Sequence, residues 1–190
     1  MTAPTLTELH PTELSASQDG GVPLRRSVGS VARAYLSLTK PKVILLLEVP
    51  TLAAMLVAGA PEWPAMSVVL LTLLAGALAA GGSAAINCWF DSDIDAEMGT
   101  RTKRRAIPAG VISARAALQF GIALALASIG LLLAFVNGLS AMLTAIAIVI
   151  YVGIYTFWLK RSTPSNIVLG GAAGAIPPLI GWAAVTGDLA

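Results

Sequence analysis

The sequence predicts an all-α, polytopic membrane protein with about five transmembrane helices. Hydrophobic residues make up 56% of the 190 residues and charged residues only 12%, whereas a soluble domain usually carries roughly 25% charged residues. The apolar residues form runs of about 20, the length that crosses a bilayer as a helix. The sequence shows no nucleic-acid-binding motif, so nucleic acid is not an expected partner, and its one cysteine, Cys88, excludes an intrachain disulfide.

The N-terminal 30 residues differ from the rest of the chain. Residues 1–30 are polar, are rich in Ser, Thr, Pro and Gly, and lack the apolar run of a secretory signal. We therefore expect a mostly disordered tail. The following segment, Val31–Lys42, predicts a short amphipathic lead-in at the membrane surface. The expected organisation is a tail over 1–30 and a transmembrane domain over 31–190.

The apolar runs place the expected spans. They are about Val43–Ala60, Ala65–Ile86, Ile112–Val136, Leu139–Leu159 and Asn166–Thr186. Pro61–Pro64 predicts a tight turn with Trp63 at the interface, and Asn137-Gly138 predicts a short turn. Pro177-Pro178 is expected to break the fifth span.

The first span contains two unusual residues, Glu48 and Pro50. Pro50 can kink the helix because proline removes a backbone donor. A carboxyl group within the bilayer should face a partner or a wet cavity. Alternatively, Glu48 lies near the interface and reaches out to water.

The basic residues predict the orientation. All twelve Lys and Arg residues fall before span one, between spans two and three, or between spans four and five, which is one side of the layout. Cytoplasmic loops carry such an excess of basic residues. We therefore expect a multi-pass protein of the cell (inner) membrane, with the N-terminus and the acidic loop after span two in the cytoplasm.

That loop is the most polar stretch of the chain. Asn87, Asp91 and Asp95 recur every fourth residue, so on a helix they lie within about 80° of one another, while Asp93 points elsewhere. Such a row of oxygen-bearing side chains suits Mg²⁺, which proteins often hold with one or two carboxylates plus substrate phosphates. The spacing therefore nominates Asn87, Asp91 and Asp95 as metal-binding and catalytic residues.

Basic residues follow the acidic ones directly. They are Arg101, Lys103, Arg104 and Arg105. Arginine binds phosphate oxygens bidentately and lysine binds them as a point charge. A metal and basic side chains at a membrane surface suit an isoprenyl diphosphate, whose apolar tail would enter the bilayer and whose departing diphosphate they would stabilise. Acidic and basic residues at a helix end also serve simply to solvate a loop and fix topology.

The sequence resembles a known family at these residues. The N-x-x-x-D-x-x-x-D pattern of Asn87, Asp91 and Asp95 resembles the first aspartate-rich motif of the UbiA-type intramembrane prenyltransferases. The fuller pattern, D-x-D-I-D at Asp91–Asp95 with R-T-x-x-R at Arg101–Arg105, is similar to the protohaem IX farnesyltransferase (haem O synthase) branch. Three more segments agree in order: Leu38–Lys42, Tyr155–Val168 and Gly170–Trp182.

The resemblance implies an activity and a set of ligands. The activity is transfer of a farnesyl group from farnesyl diphosphate to a vinyl group of protohaem IX (haem b), giving haem O, with Mg²⁺ as cofactor and haem b as substrate. A haem A synthase that acts on haem O is the implied partner. Asn87, Asp91 and Asp95 would hold Mg²⁺ and diphosphate. The other implied diphosphate ligands are Arg101, Arg105, Lys160, Lys40 and Asn166.

Other readings stay open. Lys160 is equally a topology residue, and Asn166 a helix cap. The family continues with further spans and a second polar motif containing histidine, whereas the one histidine here, His10, lies in the tail. We therefore expect an N-terminal part of a larger UbiA-type bundle. The alternative functions are a UbiA-type prenyltransferase with a quinone-type acceptor, a membrane ion carrier using Glu48 and the row of aspartates, and an inactive membrane fragment.

Overall fold

The computed structural model describes residues 27–103, 105–160 and 166–189, and for Arg101, residues 166–170 and Ala172 it describes the backbone alone. Within these residues every regular element is a helix, which confirms the predicted all-α class. The elements are α1 (Val28–Leu38), α2 (Pro41–Gly59), α3 (Met66–Phe90), α4 (Ser92–Glu97), a 3₁₀ turn (Gly99–Arg101), α5 (Ala114–Phe135), α6 (Gly138–Ile148), a π-helical segment (Val149–Leu159) and α7 (Asn166–Thr186).

Four helices are long and apolar enough to cross a membrane: Pro41–Gly59, Met66–Phe90, Ala114–Phe135 and Gly138–Leu159. They match the first four predicted spans to within a few residues. The helix expected as the fifth span is also present at Asn166–Thr186, and its stretch Ala173–Thr186 is apolar. The chain is a multi-pass membrane protein.

At the N-terminal side, the structure bears on the expected extent of the tail and on the expected effect of Pro50. Helix α1 begins at Val28, so the predicted tail over 1–30 ends at least three residues too late, and residues 1–26 lie outside the described part. Helix α2 continues through Pro50 without interruption. Its first turn tolerates Pro41 because the first N–H groups of a helix have no intrahelical acceptor.

The expected break at Pro177-Pro178 is wrong. Helix α7 continues through both prolines. A proline ring in a helix clashes with the carbonyl four residues earlier and leaves it without a donor. Here the carbonyls are those of Ala173 and Gly174, and both residues line a cavity in the bundle. Membrane helices tolerate proline where neighbouring groups and local adjustment satisfy the freed backbone carbonyls.

Small residues allow the helices to approach closely. Helix α3 packs most extensively on α5, and a methyl group added at Gly82 would lie 2.7 Å from the Gly121 carbonyl oxygen. The Ser128 hydroxyl donates to the Ala75 carbonyl across the same interface at 2.7 Å. Membrane helices associate through such close packing and interhelical hydrogen bonds, because lipid supplies no hydrophobic drive between them.

A second close contact lies between α2 and α7. Helix α2 packs on α7, where Gly181 lies directly against the Thr51 carbonyl, and Met55 beside it is fully buried. Asn137 links the start of α6 to α7, since its carboxamide accepts from the Ser140 amide at 2.8 Å and donates to the Ala183 carbonyl at 2.8 Å. The short Asn-Gly turn is therefore confirmed, with Asn137 capping α6.

Candidate active site

The acidic row lies where α3 meets α4. Helix α3 ends at Phe90 and α4 begins at Ser92. The Asp91 amide donates to the Asn87 carbonyl at 3.0 Å and the Asp95 amide to the Asp91 carbonyl at 2.8 Å, so the helical hydrogen-bond spacing continues across the junction. Asn87, Asp91 and Asp95 are buried, whereas Asp93 is exposed. The three side chains thus share one inward face, as their spacing predicts.

Each aspartate of the row pairs with a cation, one from a distant part of the chain and one from the following loop. The Lys160 ammonium, at the end of the π-helical segment, contacts the Asp91 carboxylate. The Arg105 guanidinium donates to both carboxylate oxygens of Asp95, at 2.6 and 2.7 Å. That hydrogen bond raises the pKa of Arg105, so this side chain stays cationic at every physiological pH.

Asn87 is held from two sides. Its Oδ1 accepts from the Lys40 Nζ at 3.2 Å, and its Nδ2 donates to the Thr156 Oγ1 at 3.3 Å. The Thr156 hydroxyl in turn donates to the Tyr151 carbonyl at 2.9 Å, five residues earlier. The π-helical register therefore turns the buried Thr156 hydroxyl toward α3, and short π-helical stretches are frequent at functional sites.

The Asn87–Thr156 and Asp91–Lys160 contacts form a ladder. Each pair is 69 residues apart along the chain, so α3 and the π-helical segment run parallel at this end of the bundle. A four-residue step on each helix therefore advances both contacts together. Sequence reasoning assigned Lys160 but missed Thr156, although its spacing of four from Lys160 repeats the Asn87–Asp91 spacing.

Lys40 occupies an unusual backbone conformation. It lies between α1 and α2 with φ 52° and ψ 66°, the left-handed region that residues other than glycine and asparagine rarely adopt. Such conformations persist where the surrounding structure enforces them and cluster at functional sites. Here the conformation directs the Lys40 ammonium to Asn87 rather than away from the bundle.

The loop after α4 folds back onto the acidic row. The Thr102 hydroxyl, itself buried, donates to the Asp95 carbonyl. Ala106 and Ile112 pack into an apolar cluster with Leu38 and Ala85. These contacts anchor the loop on α1 and α3 and so place the Arg105 guanidinium beside Asp95.

The row, the loop and α1 enclose a cavity of about 340 Å³, here called the polar cavity. Its lining includes Lys40, Asn87, Asp91, Asp95 and Arg105. Within the described residues no group of three or more His, Cys, Asp or Glu side chains could hold a metal alone. Two carboxylates facing one cavity, with cations beside them, are nevertheless the donor set with which Mg²⁺ is bound together with substrate phosphates. The residues therefore fit Mg²⁺ with a phosphorylated ligand.

A second cavity, of about 270 Å³, lies deeper among α2, α3, α6 and α7, and is called the apolar cavity. Its α3 wall is made of small residues, among them Gly76, Ala80 and Ala84. Lys40 lines both cavities. An amphiphile with an anionic head and a hydrocarbon tail therefore finds a charged compartment and an apolar compartment on either side of Lys40.

For two other predicted site residues, Arg101 and Asn166, the structure describes the backbone alone. Arg101 ends the 3₁₀ turn, and Asn166 begins α7; the side chains of both lie outside the described part. Lys40, Arg105 and Lys160 converge on the acidic row. Glu48 lies within α2 and lines the apolar cavity rather than joining the acidic row.

Comparison with known proteins gives a consistent set of relatives. Residues 47–190 match the UbiA prenyltransferase family. The chain is 51% identical over 176 residues to a protoheme IX farnesyltransferase of Chloroflexus aurantiacus, covering 92% of this chain and 29% of that protein. It is 52% identical over 165 residues to the protoheme IX farnesyltransferase of Synechocystis, covering 86% of this chain and 51% of the relative.

The chain is also similar to a third curated relative and to a solved structure. The protoheme IX farnesyltransferase of Salinispora tropica is 50% identical over 179 residues, covering 93% of this chain and 55% of that protein. The chain thus spans about half the length, or less, of these curated relatives. A UbiA homologue from Archaeoglobus fulgidus, solved with DMAPP and Mg²⁺, has a TM-score of 0.70 at 21% identity, covering 82% of this chain and 55% of the homologue. It shares the fold.

The family match covers most of the chain, and the fold agrees with it. The expectation drawn from the aspartate-rich pattern is therefore confirmed at the level of the family. This chain belongs to the UbiA prenyltransferase family.

Proposed function

We propose that this chain carries the diphosphate-binding half of a protohaem IX farnesyltransferase, which transfers a farnesyl group from farnesyl diphosphate to a vinyl group of haem b to give haem O. One observation carries the proposal: a polar cavity lined by two paired aspartates and by the cations Lys40 and Arg105 adjoins an apolar cavity at Lys40. The choice of haem as acceptor rests on relatives about 50% identical that bear this name.

The two cavities bind different parts of the substrate. The diphosphate lies in the polar cavity, where Arg105, Lys160 and Lys40 exchange their present carboxylate and carboxamide partners for phosphate oxygens. Arg101 and Asn166 are proposed to join them. The prenyl chain lies in the apolar cavity, away from water. Because the protein itself pairs these cations with Asp91, Asp95 and Asn87, their positions are set by the fold, which is what a preorganised site requires.

Asp91, Asp95 and the Oδ1 of Asn87 would hold Mg²⁺, which when bound neutralises the diphosphate charge and improves it as a leaving group. In the reaction the bond between farnesyl C1 and the diphosphate oxygen breaks, and its electron pair leaves with the diphosphate. The vinyl group of haem forms the new bond to C1. Water then adds to the vinyl-derived carbon and releases its proton, which leaves a hydroxyl group.

The chain's own contribution is positioning and charge. Thr156 and Lys40 fix the Asn87 carboxamide, and the 102–112 loop holds Arg105 beside Asp95. Negative charge that develops on the departing diphosphate is stabilised by cations already in place. The apolar walls of the inner cavity shield the reactive allylic carbon from water.

We further propose the cell (inner) membrane as the location, with the polar cavity on the cytoplasmic side. Lys40, Arg105 and Lys160, from three separate segments, meet at one end of the bundle, in agreement with the positive-inside rule. A haem A synthase would act on the product.

Product analysis tests the function and its nearest alternative. The complete reading frame containing this chain would be expressed in membranes supplied with farnesyl diphosphate, haem b and Mg²⁺. The proposal predicts a haem whose mass rises by one farnesyl group and one water. A prenylated quinone precursor instead would favour the quinone-type acceptor, and no Mg²⁺-dependent product of either kind would favour an inactive membrane protein.

A further inference from the structure

Glu48 presents a carboxyl group to an otherwise apolar compartment. It lines the apolar cavity from α2, and its Oε2 is buried with no hydrogen-bond partner among the described residues. The Thr72 hydroxyl, on α3, lines the same cavity, is buried and likewise lacks a partner there. An unpaired polar group in a membrane interior is unfavourable and marks a functional position.

The Glu48 side chain reaches from α2 to the α3 wall of the apolar cavity. A methyl group added at Gly76, on the facing wall of α3, would lie 2.6 Å from the Glu48 Oε1. The carboxyl group therefore rests against the α3 backbone in the space that the absent side chain of Gly76 leaves. It forms a bar between α2 and α3.

The depth of this bar can be compared with a prenyl chain. On α3 the cavity wall runs from Ala84, beside the polar cavity, to Gly76 and then to Thr72. At a helical rise of 1.5 Å per residue, Gly76 lies about 12 Å and Thr72 about 18 Å from Ala84. Extended single bonds advance roughly 1.2 Å each, so a farnesyl chain spans about 13 Å and a geranylgeranyl chain about 18 Å. A farnesyl chain ends at Glu48, and a longer chain must pass it.

On the basis of the proposed function, we propose that Glu48, backed by Thr72, ends the prenyl-chain compartment and limits the substrate to about three isoprene units. A fourth unit would have to displace the carboxyl group from Gly76 and cover polar oxygens that then have no partner. Beyond Thr72 the compartment closes, because Gly181 packs on the Thr51 carbonyl and Met55 is fully buried. Glu48 is thus a specificity-determining residue that touches the tail rather than the reacting atoms.

Two other roles for Glu48 fit the geometry less well. A path for ions would need further titratable groups, but the described lining of the apolar cavity adds only Lys40 and Tyr151 to Glu48. A site for a polar ligand would need several converging hydrogen-bond groups, whereas the walls are mostly Ala, Gly and aliphatic side chains. A hydrocarbon chain fits these walls, and Glu48 marks where it stops.

Binding of a chain-length series tests this inference. The probes are the thiolodiphosphate analogues of geranyl, farnesyl and geranylgeranyl diphosphate, which bind without being cleaved, with Mg²⁺ and protein from the complete reading frame. The unchanged protein should bind the farnesyl analogue at least tenfold more tightly than the geranylgeranyl analogue, about 1.4 kcal/mol. Glu48→Ala, which removes the bar, should abolish that preference by tightening geranylgeranyl binding.

Two control variants separate length from polarity. Glu48→Gln keeps the size of the side chain and Thr72→Val keeps its shape, so both should retain the preference for farnesyl. Equal affinity of the unchanged protein for the two longer analogues would overturn the proposal, as would an unchanged preference in Glu48→Ala. A uniform loss of affinity for all three analogues in Glu48→Gln would show a polar ligand site instead.

The outcome also separates this inference from the function on which it rests. If none of the analogues binds in a Mg²⁺-dependent manner, the proposed diphosphate site is wrong. If the farnesyl analogue binds and depends on Asp91, while Glu48→Ala leaves the chain-length preference unchanged, only the role of Glu48 is wrong.

Discussion

Neutralising one aspartate of the buried row should weaken diphosphate binding far more than neutralising the exposed aspartate between them. The perturbations are Asp91→Asn and Asp95→Asn, with Asp93→Asn as the matched control. The side chains of Asp91 and Asp95 are 13% and 6% exposed, and each contacts a cation. All three changes remove one negative charge from the same stretch, Asp91–Asp95, so their long-range electrostatic effects are comparable.

The magnitude follows from the pairing. At an effective dielectric constant of about 20, unit charges 4 Å apart interact by about 4 kcal/mol. Removing the Asp91 charge loses its attraction for a divalent cation, which is about two such interactions, or about 8 kcal/mol. The change also frees Lys160 to interact with the diphosphate, which recovers about one interaction, or about 4 kcal/mol. The net loss is at most about 4 kcal/mol, or roughly a thousandfold in Kd. We expect a loss between tenfold and that limit, and less than threefold for Asp93→Asn.

The assay is binding of the farnesyl thiolodiphosphate analogue in nanodiscs, titrated at several Mg²⁺ concentrations. The two buried-row variants should also need more Mg²⁺ for half-maximal binding. Wild-type affinity in Asp91→Asn and Asp95→Asn would refute the reasoning. Equal damage from Asp93→Asn would show that the inward face carries no special role.

The other predictions concern the supports of the site and the bundle. Thr156→Val should leave the Asn87 Nδ2 buried without an acceptor, lower the free energy of unfolding by about 1–3 kcal/mol and weaken analogue binding, while the control Thr186→Val, whose hydroxyl bonds near the end of α7 and away from both cavities, should leave binding unchanged. Arg105→Ala should reduce affinity for the analogue at least tenfold with little effect on melting temperature, because the Arg105 side chain is 58% exposed and exposed ion pairs add little stability; Lys103→Ala is its control. The hydrogen bond to Asp95 raises the pKa of Arg105 above its ordinary value. Arg105 therefore stays cationic at every pH below that ordinary value, and its contribution to binding should not change between pH 6 and 9. Gly121→Ala should destabilise the bundle by about 1–3 kcal/mol, because the methyl group would meet the Gly82 carbonyl at 2.8 Å, whereas Gly130→Ala meets nothing within 4 Å; thermal unfolding in detergent compares them.

The helix pattern could be predicted from the sequence because membrane spans depend on one dominant quantity, the length of an apolar run. The inward face of Asn87, Asp91 and Asp95 could be predicted for a similar reason, since helical spacing alone determines it. The rule that proline breaks a helix fails at Pro177-Pro178, where α7 continues through both residues. Membrane helices tolerate proline where neighbouring helices and local adjustment satisfy the freed backbone groups, and a rule based on proline alone does not contain those tertiary contacts.

The partners of the acidic row could not be predicted. Thr156 and Lys160 reach Asn87 and Asp91 from the π-helical segment and its end, and no residue type in Val149–Leu159 signals that register. The left-handed conformation of Lys40 is equally a product of its surroundings, since local propensity opposes it. The bar that Glu48 forms depends on Gly76, a contact between two helices that neither segment reveals alone.

The most direct test of the account is an experimental structure with farnesyl thiolodiphosphate and Mn²⁺ in place of Mg²⁺, because anomalous scattering locates Mn²⁺ without ambiguity. The account predicts a metal in contact with Asp91 and Asp95, the diphosphate among Arg105, Lys160 and Lys40, and the farnesyl chain in the apolar cavity with its end at Glu48. A metal bound away from the acidic row, or a prenyl chain lying outside the apolar cavity, would contradict it.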